Sequence, residues 1–326
     1  MKPTILVTRK LPPEAMALLD ENFQVECNPH NRVLLRKELL TAVEGKDGIL
    51  SLLTDAMDGD VMDSAGTGLK MIANYAVGFN NIDVSAATQR KIAVSNTPGV
   101  LTDTTADLAM ALLLAVARRI VESDNYARAE KYMGWDPLLL MGSDVHGKTL
   151  GIMGFGRVGQ ALAKRAAGFD MKILYHNRHR VDSETEEKLG ATFVDQDTLL
   201  KTSDYVSIHV PLTPETTALI NRETLSLMKP SAFLINTARG EIIREADLVK
   251  ALAEKQIAGA GLDVFEHEPK IHPGLLKMDN VVLLPHIGSA SLETRTKMGL
   301  VAAKNLITFF NGEEPPNCLN PEIFKS

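Results

Sequence analysis

The sequence predicts an α/β protein built from two doubly wound parallel-sheet domains. Three observations carry that prediction. At 326 residues the chain is long enough for about two domains, each with a core of its own. Short apolar runs alternate with amphipathic stretches along its whole length, the pattern of a parallel sheet covered by helices. One glycine-rich turn, in "LGIMGFGRVGQALAKRAAG", sits between an apolar run and a helical stretch.

In the first part of the chain, strands are expected at ILVT, QVEC, GILSLL, LKMIANYA and IAVSN, with helices at PEAMALLDENF and RKELLTAVEG between them. The stretch LTDTTADLAMALLLAVARRIVESDNYARA (101–129) predicts one long helix, apolar enough to be mostly buried, with Thr and Asp suited to its start. From Thr149 a second series of strands is expected at TLGIM, MKILYHN, ATFV, DYVSIHV, SAFLINTA, IAGAGLDVF and VVLLPHI. A last helix should run from about Ser291 to Phe310. No repeat, low-complexity tract or Pro-rich linker divides the halves, and composition does not reveal whether one domain interrupts the other.

Composition excludes several classes. A formal net charge of −6 argues against a general nucleic-acid binder, which would show a basic excess. Cys27 and Cys318 sit near opposite ends without metal-ligand spacing, so neither a metal site nor a disulfide framework is expected, and a reducing compartment is. The run Leu108 to Ala117 stops at Arg118-Arg119, too short to span a bilayer, and the N-terminal stretch has no apolar core of signal-peptide length. A soluble cytoplasmic protein without membrane contact is expected.

The glycine turn points to a ligand. Gly154, Gly156 and Gly159 have G-x-G-x-x-G spacing, which is weak evidence alone and strong between a strand and a helix. The first Gly permits the tight turn, the second lets backbone approach a pyrophosphate, and the third lets helix and strand pack closely. Phe155, Arg157 and Val158 complete the turn, whose N–H groups and helix dipole favour an anion. The next strand ends in "YHNRHR". Where NAD is bound, that strand usually ends in a carboxylate that holds the adenine ribose. Asn177 removes the repulsion a carboxylate would exert on a 2′-phosphate, and Arg178 and Arg180 add donors suited to phosphate. NADP(H) is therefore favoured over NAD(H), with a merely solvated basic loop as the competing reading.

Three other expected strands are followed by polar residues in "FLINTARGEII", "AGLDVFEHEP" and "VVLLPHIGSAS". Ligands of doubly wound sheets bind beyond the carboxyl ends of strands, where Arg239, Glu268 and His286 could converge. Reduction of a 2-oxo acid needs such a set. Arg supplies a fork for the carboxylate, His an acid near neutral pH, and Glu a charge that favours imidazolium. Taken singly, a surface ion pair, a solvated carboxylate and a satisfied core histidine explain them equally well.

The motifs "NYAVGFNNID", "NTPGVLTDTTADLAMALLL", "GKTLGIMGFGRVGQALA", "HVPLTPETTALI", "LINTARGEII", "GAGLDVFEHEP" and "LLPHIGSAS" cover nearly the whole chain. With them the sequence resembles the D-isomer-specific 2-hydroxyacid dehydrogenases. "LLTDAMD", "GWDP" and "HPGLLKMDNVVLLPHIGSAS" are most similar to the glyoxylate/hydroxypyruvate reductase branch. The resemblance implies Arg239 as carboxylate anchor and His286 as acid/base, with Glu268 as partner. It implies that the Val77 and Gly78 amides meet the substrate carboxylate, that Leu53 and Ser289 line the pocket, and that Trp135 reaches the pocket of a neighbouring subunit in a homodimer. Thr237, Asp263 and Gly288 would flank the nicotinamide, with Val210, Pro211 and Thr216 along the cofactor. It further implies a Rossmann dinucleotide-binding domain, residues 101–290, inserted into a flavodoxin-like substrate domain made of residues 1–100 and 291–326.

Departures refine this. Asn177 stands where NAD-specific members keep Asp, and Glu268 where formate dehydrogenases have Gln. Many phosphoglycerate dehydrogenases carry an additional C-terminal regulatory domain, which this sequence does not contain. The leading expectation is an NADPH-preferring reductase of glyoxylate and hydroxypyruvate. Two alternatives stay open: a dehydrogenase for another 2-oxo acid such as 3-phosphohydroxypyruvate, and a nucleotide-sensing interaction protein like the corepressors that share this fold.

Overall fold

A computed structural model describes residues 2–325. By density of contact the chain divides into two compact units, Met1–Leu101 with Ser289–Ser326, and Thr102–Gly288. The second unit is continuous in sequence and interrupts the first.

The first unit is a five-stranded sheet of β1 (Thr4–Val7), β2 (Gln24–Cys27), β3 (Gly48–Ser51), β4 (Met71–Asn74) and β5 (Ala93–Ser95). Their order is β2-β1-β3-β4-β5 and every pairing is parallel, the flavodoxin-like arrangement. β3 and β4 are buried throughout, which is why they read as unbroken apolar runs. Helices cover both faces, and their starts are fixed by short polar side chains: Asp58 accepts from the Val61 N–H and Asp83 from that of Ala86. The last long helix, Leu292–Phe310, begins at Ser291, whose hydroxyl accepts from the Thr294 N–H. It lies against the helix Pro13–Asn22, where a Cβ on Gly299 would come within 2.5 Å of the Ala15 Cβ.

The second unit holds seven parallel strands: β6 (Thr149–Met153), β7 (Lys172–His176), β8 (Ala191–Phe193), β9 (Tyr205–Ile208), β10 (Phe233–Asn236), β11 (Gly259–Leu262) and β12 (Val281–Leu283). Their order is β12-β11-β10-β9-β6-β7-β8. The chain works outward from β6 through β7 and β8, then crosses to β9 and works outward the other way, so the switch point lies between β6 and β9. One face of the sheet buries Leu112, Leu113, Leu162 and Ala166, and the other Leu199, Leu225, Leu248 and Leu275.

The helix expected over 101–129 is two helices. Thr102–Ala117 is mostly buried and Ile120–Arg128 has no buried residue. The break falls at Arg119, in the left-handed region at φ 53°. A continuing helix would give the Ala117 carbonyl to residue 121; here it accepts the Ser143 N–H at 2.8 Å, from a strand of chain that returns so close that a Cβ on Gly142 would overlap it. Among the described residues no helix is long and apolar enough to cross a membrane, and no cluster of side chains could hold a metal.

The edge of the first sheet yields a prediction. β5 is completed by Asn320, fully buried, whose Oδ1 accepts the Val94 N–H and whose Nδ2 donates to the Ile92 carbonyl, both at 2.9 Å, and to the Thr88 hydroxyl at 3.0 Å. Asn320→Ala strands two buried backbone groups, so the first unit should lose about 2–4 kcal/mol of stability. Chemical unfolding checks this; an unchanged midpoint would mean that water replaces the side chain without cost.

Candidate active site

Because the strands of the second unit are parallel, their carboxyl ends gather along one edge. The three glycines after β6 meet three different constraints there. Gly154 has φ 96° and lies so close to β9 that a Cβ would come within 2.5 Å of the His209 carbonyl carbon. Gly156 faces open space, with nothing within 4 Å of where its Cβ would be. A Cβ on Gly159 would meet the Gly154 carbonyl, so helix and turn pack backbone to backbone. The helix Arg157–Ala166 starts at Gly156 with no side chain capping it, which leaves its first N–H groups to an anion. The turn therefore fits a dinucleotide pyrophosphate. Phe155 adds only backbone: its ring is buried against Tyr175, with centroids 4.3 Å apart. Arg157 is exposed and Val158 half-buried at the start of the helix.

The end of β7 is more structured than a basic loop. Asn177 Oδ1 accepts the Phe155 N–H at 2.6 Å, tying strand end to glycine turn. Arg178 is exposed and its charge is felt by Glu215. Arg180 is held by Glu186 through two bonds, 2.8 Å and 2.7 Å. After β9, Val210 and Pro211 enter a turn that Thr216 closes by donating to the Pro211 carbonyl at 2.6 Å. His209, which the sequence did not single out, stands beside Gly154; burial pushes its imidazole down to about 4, so it is neutral near pH 7, and its Nε2 lies 2.8 Å from the Ser207 hydroxyl.

Arg239 follows β10. The Asn236 side chain spans this loop, accepting the Ala238 N–H at 3.0 Å and donating to the Arg239 carbonyl at 2.9 Å. The next residue must be glycine, because a Cβ on Gly240 would lie within 2.0 Å of the Phe265 carbonyl carbon and oxygen. Arg239 spends Nη1 on the Ala238 carbonyl at 2.7 Å, which leaves its outer donors for a ligand. Burial works against its charge, while Glu241 and Glu268 favour it.

Glu268 and His286 form the pair. His286 Nδ1 lies 2.9 Å from Glu268 Oε2, and Glu268 Oε1 accepts the Phe265 N–H at 3.1 Å. Burial disfavours the Glu268 carboxylate. The hydrogen bond and charge of His286, the Phe265 N–H and the Arg239 guanidinium outweigh it and hold its carboxyl below the usual range. With Nδ1 on the carboxylate, Nε2 is the nitrogen left for a reacting group. His286 has φ 54°, and the conformation is held by Asp263. The Asp263 carbonyl accepts the His286 N–H at 2.9 Å, and its carboxylate oxygens accept the N–H groups of Ile287 and Gly288 at 2.7 Å and 2.8 Å. Both oxygens of Asp263 thus serve the loop. Gly288 is tied a second time, its carbonyl accepting the Thr105 hydroxyl at 3.1 Å. The Thr237 hydroxyl, just past β10, is buried with no partner among the described residues, as suits a position awaiting a polar ligand group.

The remaining expected residues lie in the first unit or on the surface of the second. Val77 and Gly78 follow β4 in a loop whose carbonyls are pinned one after another. Ala76 accepts the Thr97 N–H at 2.9 Å, Val77 the Asn96 Nδ2 at 2.7 Å and Gly78 the Asn74 Nδ2 at 2.9 Å. Across a planar trans peptide the next N–H points the opposite way, so the N–H groups of Val77, Gly78 and Phe79 are oriented with them. Leu53 follows β3, partly exposed at 38%, and Ser289 is half-buried just before the last long helix. Trp135 is 83% exposed in an apolar stretch of the second unit.

The model of the D-isomer specific 2-hydroxyacid dehydrogenase, NAD binding domain, matches residues 110–288. The glyoxylate reductase of Thermococcus litoralis is 52% identical, over 100% of this chain and 99% of its own. That of Thermococcus onnurineus is 50% identical, over 99% and 97%. Among solved structures, an NADPH-dependent glyoxylate/hydroxypyruvate reductase from Sinorhizobium meliloti, in complex with NADP and malonate, superposes with a TM-score of 0.82 at 34% identity, covering 98% of this chain and 97% of that one. The chain belongs to the D-isomer-specific 2-hydroxyacid dehydrogenase family, on its glyoxylate reductase branch.

Proposed function

We propose that the protein reduces a small 2-oxo acid, glyoxylate or hydroxypyruvate, to the D-2-hydroxy acid, with NADPH preferred over NADH. The observation that carries this reading is the 2.9 Å bond from His286 to Glu268 beside the half-buried Arg239, all three at carboxyl ends of neighbouring strands. Arg239 holds the substrate carboxylate through its free donors and so sets the carbonyl in one orientation. A bound nicotinamide supplies the hydride. His286 gives its Nε2 proton to the carbonyl oxygen, which becomes the hydroxyl, and Glu268 stabilises the imidazolium before that transfer. Thr237 and Gly288 would flank a bound nicotinamide, and the Gly154–Gly159 turn would hold the pyrophosphate. The NADPH preference is supported by Asn177 and Arg178. A homodimer is supported by the apolar stretch that includes Met133 and Trp135, 94% and 83% exposed, which a second copy would cover. The reading is tested by following NADPH oxidation with glyoxylate, hydroxypyruvate and 3-phosphohydroxypyruvate. Turnover confined to the phosphorylated acid, or to none, would remove it.

The acid pair gives one expectation. His286→Ala should lower kcat by about 10²–10⁴-fold with cofactor binding intact. Glu268→Gln keeps a hydrogen-bonding group for His286 but removes the carboxylate, so kcat should fall with cofactor binding intact; an unchanged kcat contradicts the pairing. The cofactor gives another. Arg178→Ala should weaken NADPH by about one to two decades, the worth of one charge-assisted contact, and leave NADH nearly unaffected. Titration with both cofactors decides it, and equal weakening would show that Arg178 shapes the loop and does not select the phosphate.

A further inference from the structure

The end of β7 holds a second acidic group that the proposed reaction does not use. Tyr175 is fully buried; its hydroxyl donates to Glu186 Oε1 at 2.5 Å and accepts the Val181 N–H at 3.2 Å. Glu186, in the helix Ser183–Leu189, is only 8% exposed. Its other partner is Arg180, in fork-to-fork geometry: Nε to Oε1 at 2.8 Å and Nη2 to Oε2 at 2.7 Å. The guanidinium also lies 6.0 Å from the centre of the Phe193 ring. Of two arginines at this strand end, one is thus neutralised by a carboxylate of the helix that follows, and the other, Arg178, is exposed with its charge felt by Glu215.

We propose that Glu186 is a specificity-determining residue: by holding Arg180 it limits the strand end to one phosphate-binding cation and moderates the preference for NADPH over NADH. The inference rests on the reading of this strand end as the 2′-phosphate site. A phosphate cannot pull Arg180 away cheaply. Doing so would leave a nearly buried carboxylate with only the Tyr175 hydroxyl, and an unpaired buried charge costs more than one surface contact returns. The field of the Arg180–Glu186 pair at a phosphate is that of a dipole, far weaker than that of a free guanidinium. NADH, which carries no phosphate there, is indifferent to the pair.

The test uses the intact protein and equilibrium binding of NADPH and NADH, read by nucleotide fluorescence. Glu186→Gln keeps the volume and a hydrogen-bonding group for Tyr175 but releases the charge of Arg180. NADPH should bind about tenfold tighter, as expected for one added charge-assisted contact, with NADH unchanged and a steeper loss of NADPH affinity as salt rises. Adding Arg180→Ala to Glu186→Gln should return NADPH affinity to the wild-type level. Three results would overturn the proposal. NADPH affinity could stay unchanged in Glu186→Gln. The double variant could bind NADPH well below wild type, which would mean that Arg180 already reaches the phosphate. Both nucleotides could weaken together, which would make the pair a structural clasp. Arg178→Ala separates this inference from the reading beneath it: if that variant leaves the NADPH-to-NADH ratio unchanged, Arg178 does not select the phosphate and the reading beneath fails, whatever Glu186→Gln shows.

Discussion

Asp263 is the fixed point of the loops that follow β10, β11 and β12 in the second unit. Its carboxylate is almost wholly buried, and burial raises its carboxyl above the ordinary range despite the N–H groups of Ile287 and Gly288. Ionising a group there is costly, and what the protein obtains is a turn that no other local interaction would impose. His286 sits at positive φ because the backbone on both sides of it is tied to one residue of the neighbouring strand. From the opposite side, Gly240 lets the Arg239 loop come against Phe265 and Glu266. Arg239, Glu268 and His286 are therefore positioned by the backbone of the loops that follow β10, β11 and β12. Their spacing is a property of the sheet.

The cofactor edge follows the same economy. The Phe155 N–H is occupied by Asn177, so the glycine turn and the end of the next strand are one piece of structure. An Asp at 177 could accept that same bond; what distinguishes Asn is the charge it lacks. Beside it, the neutral His209 keeps the switch point free of an extra positive charge.

Much of this was legible in the sequence. Eleven of the twelve strands fall within the apolar runs that predicted them, and β1 starts one residue before its run, because a parallel sheet buried on both faces writes itself largely as Val, Ile, Leu and Ala. The glycine turn and the three strand-end residues were legible because their chemistry demands particular residue types. What escaped was set by partners distant in sequence. The break at Arg119 lies in a stretch of good helix formers and is imposed by Ser143 capturing the Ala117 carbonyl. The hold of Glu186 on Arg180 escaped for a different reason: the partner is close in sequence but looks like any acidic residue of an exposed helix. The pinning of Ala76, Val77 and Gly78 depends on Thr97, Asn96 and Asn74, which belong to two strand ends that periodicity cannot bring together.

The closure of β5 by Asn320 and Leu319 has a consequence for biosynthesis. The ribosome delivers the first 101 residues and then the whole second unit before it delivers the helix and tail that complete the first. Until then Ala15 and Leu19 lack Gly299, Ala302 and Leu306 to pack on, and the backbone of Val94 lies open as an unpaired edge. The second unit, continuous in sequence, can finish while the first waits, so the nascent chain carries a sheet with an uncovered apolar face and an open edge for most of its synthesis. Chaperone demand should therefore concentrate on the segment made first and completed last.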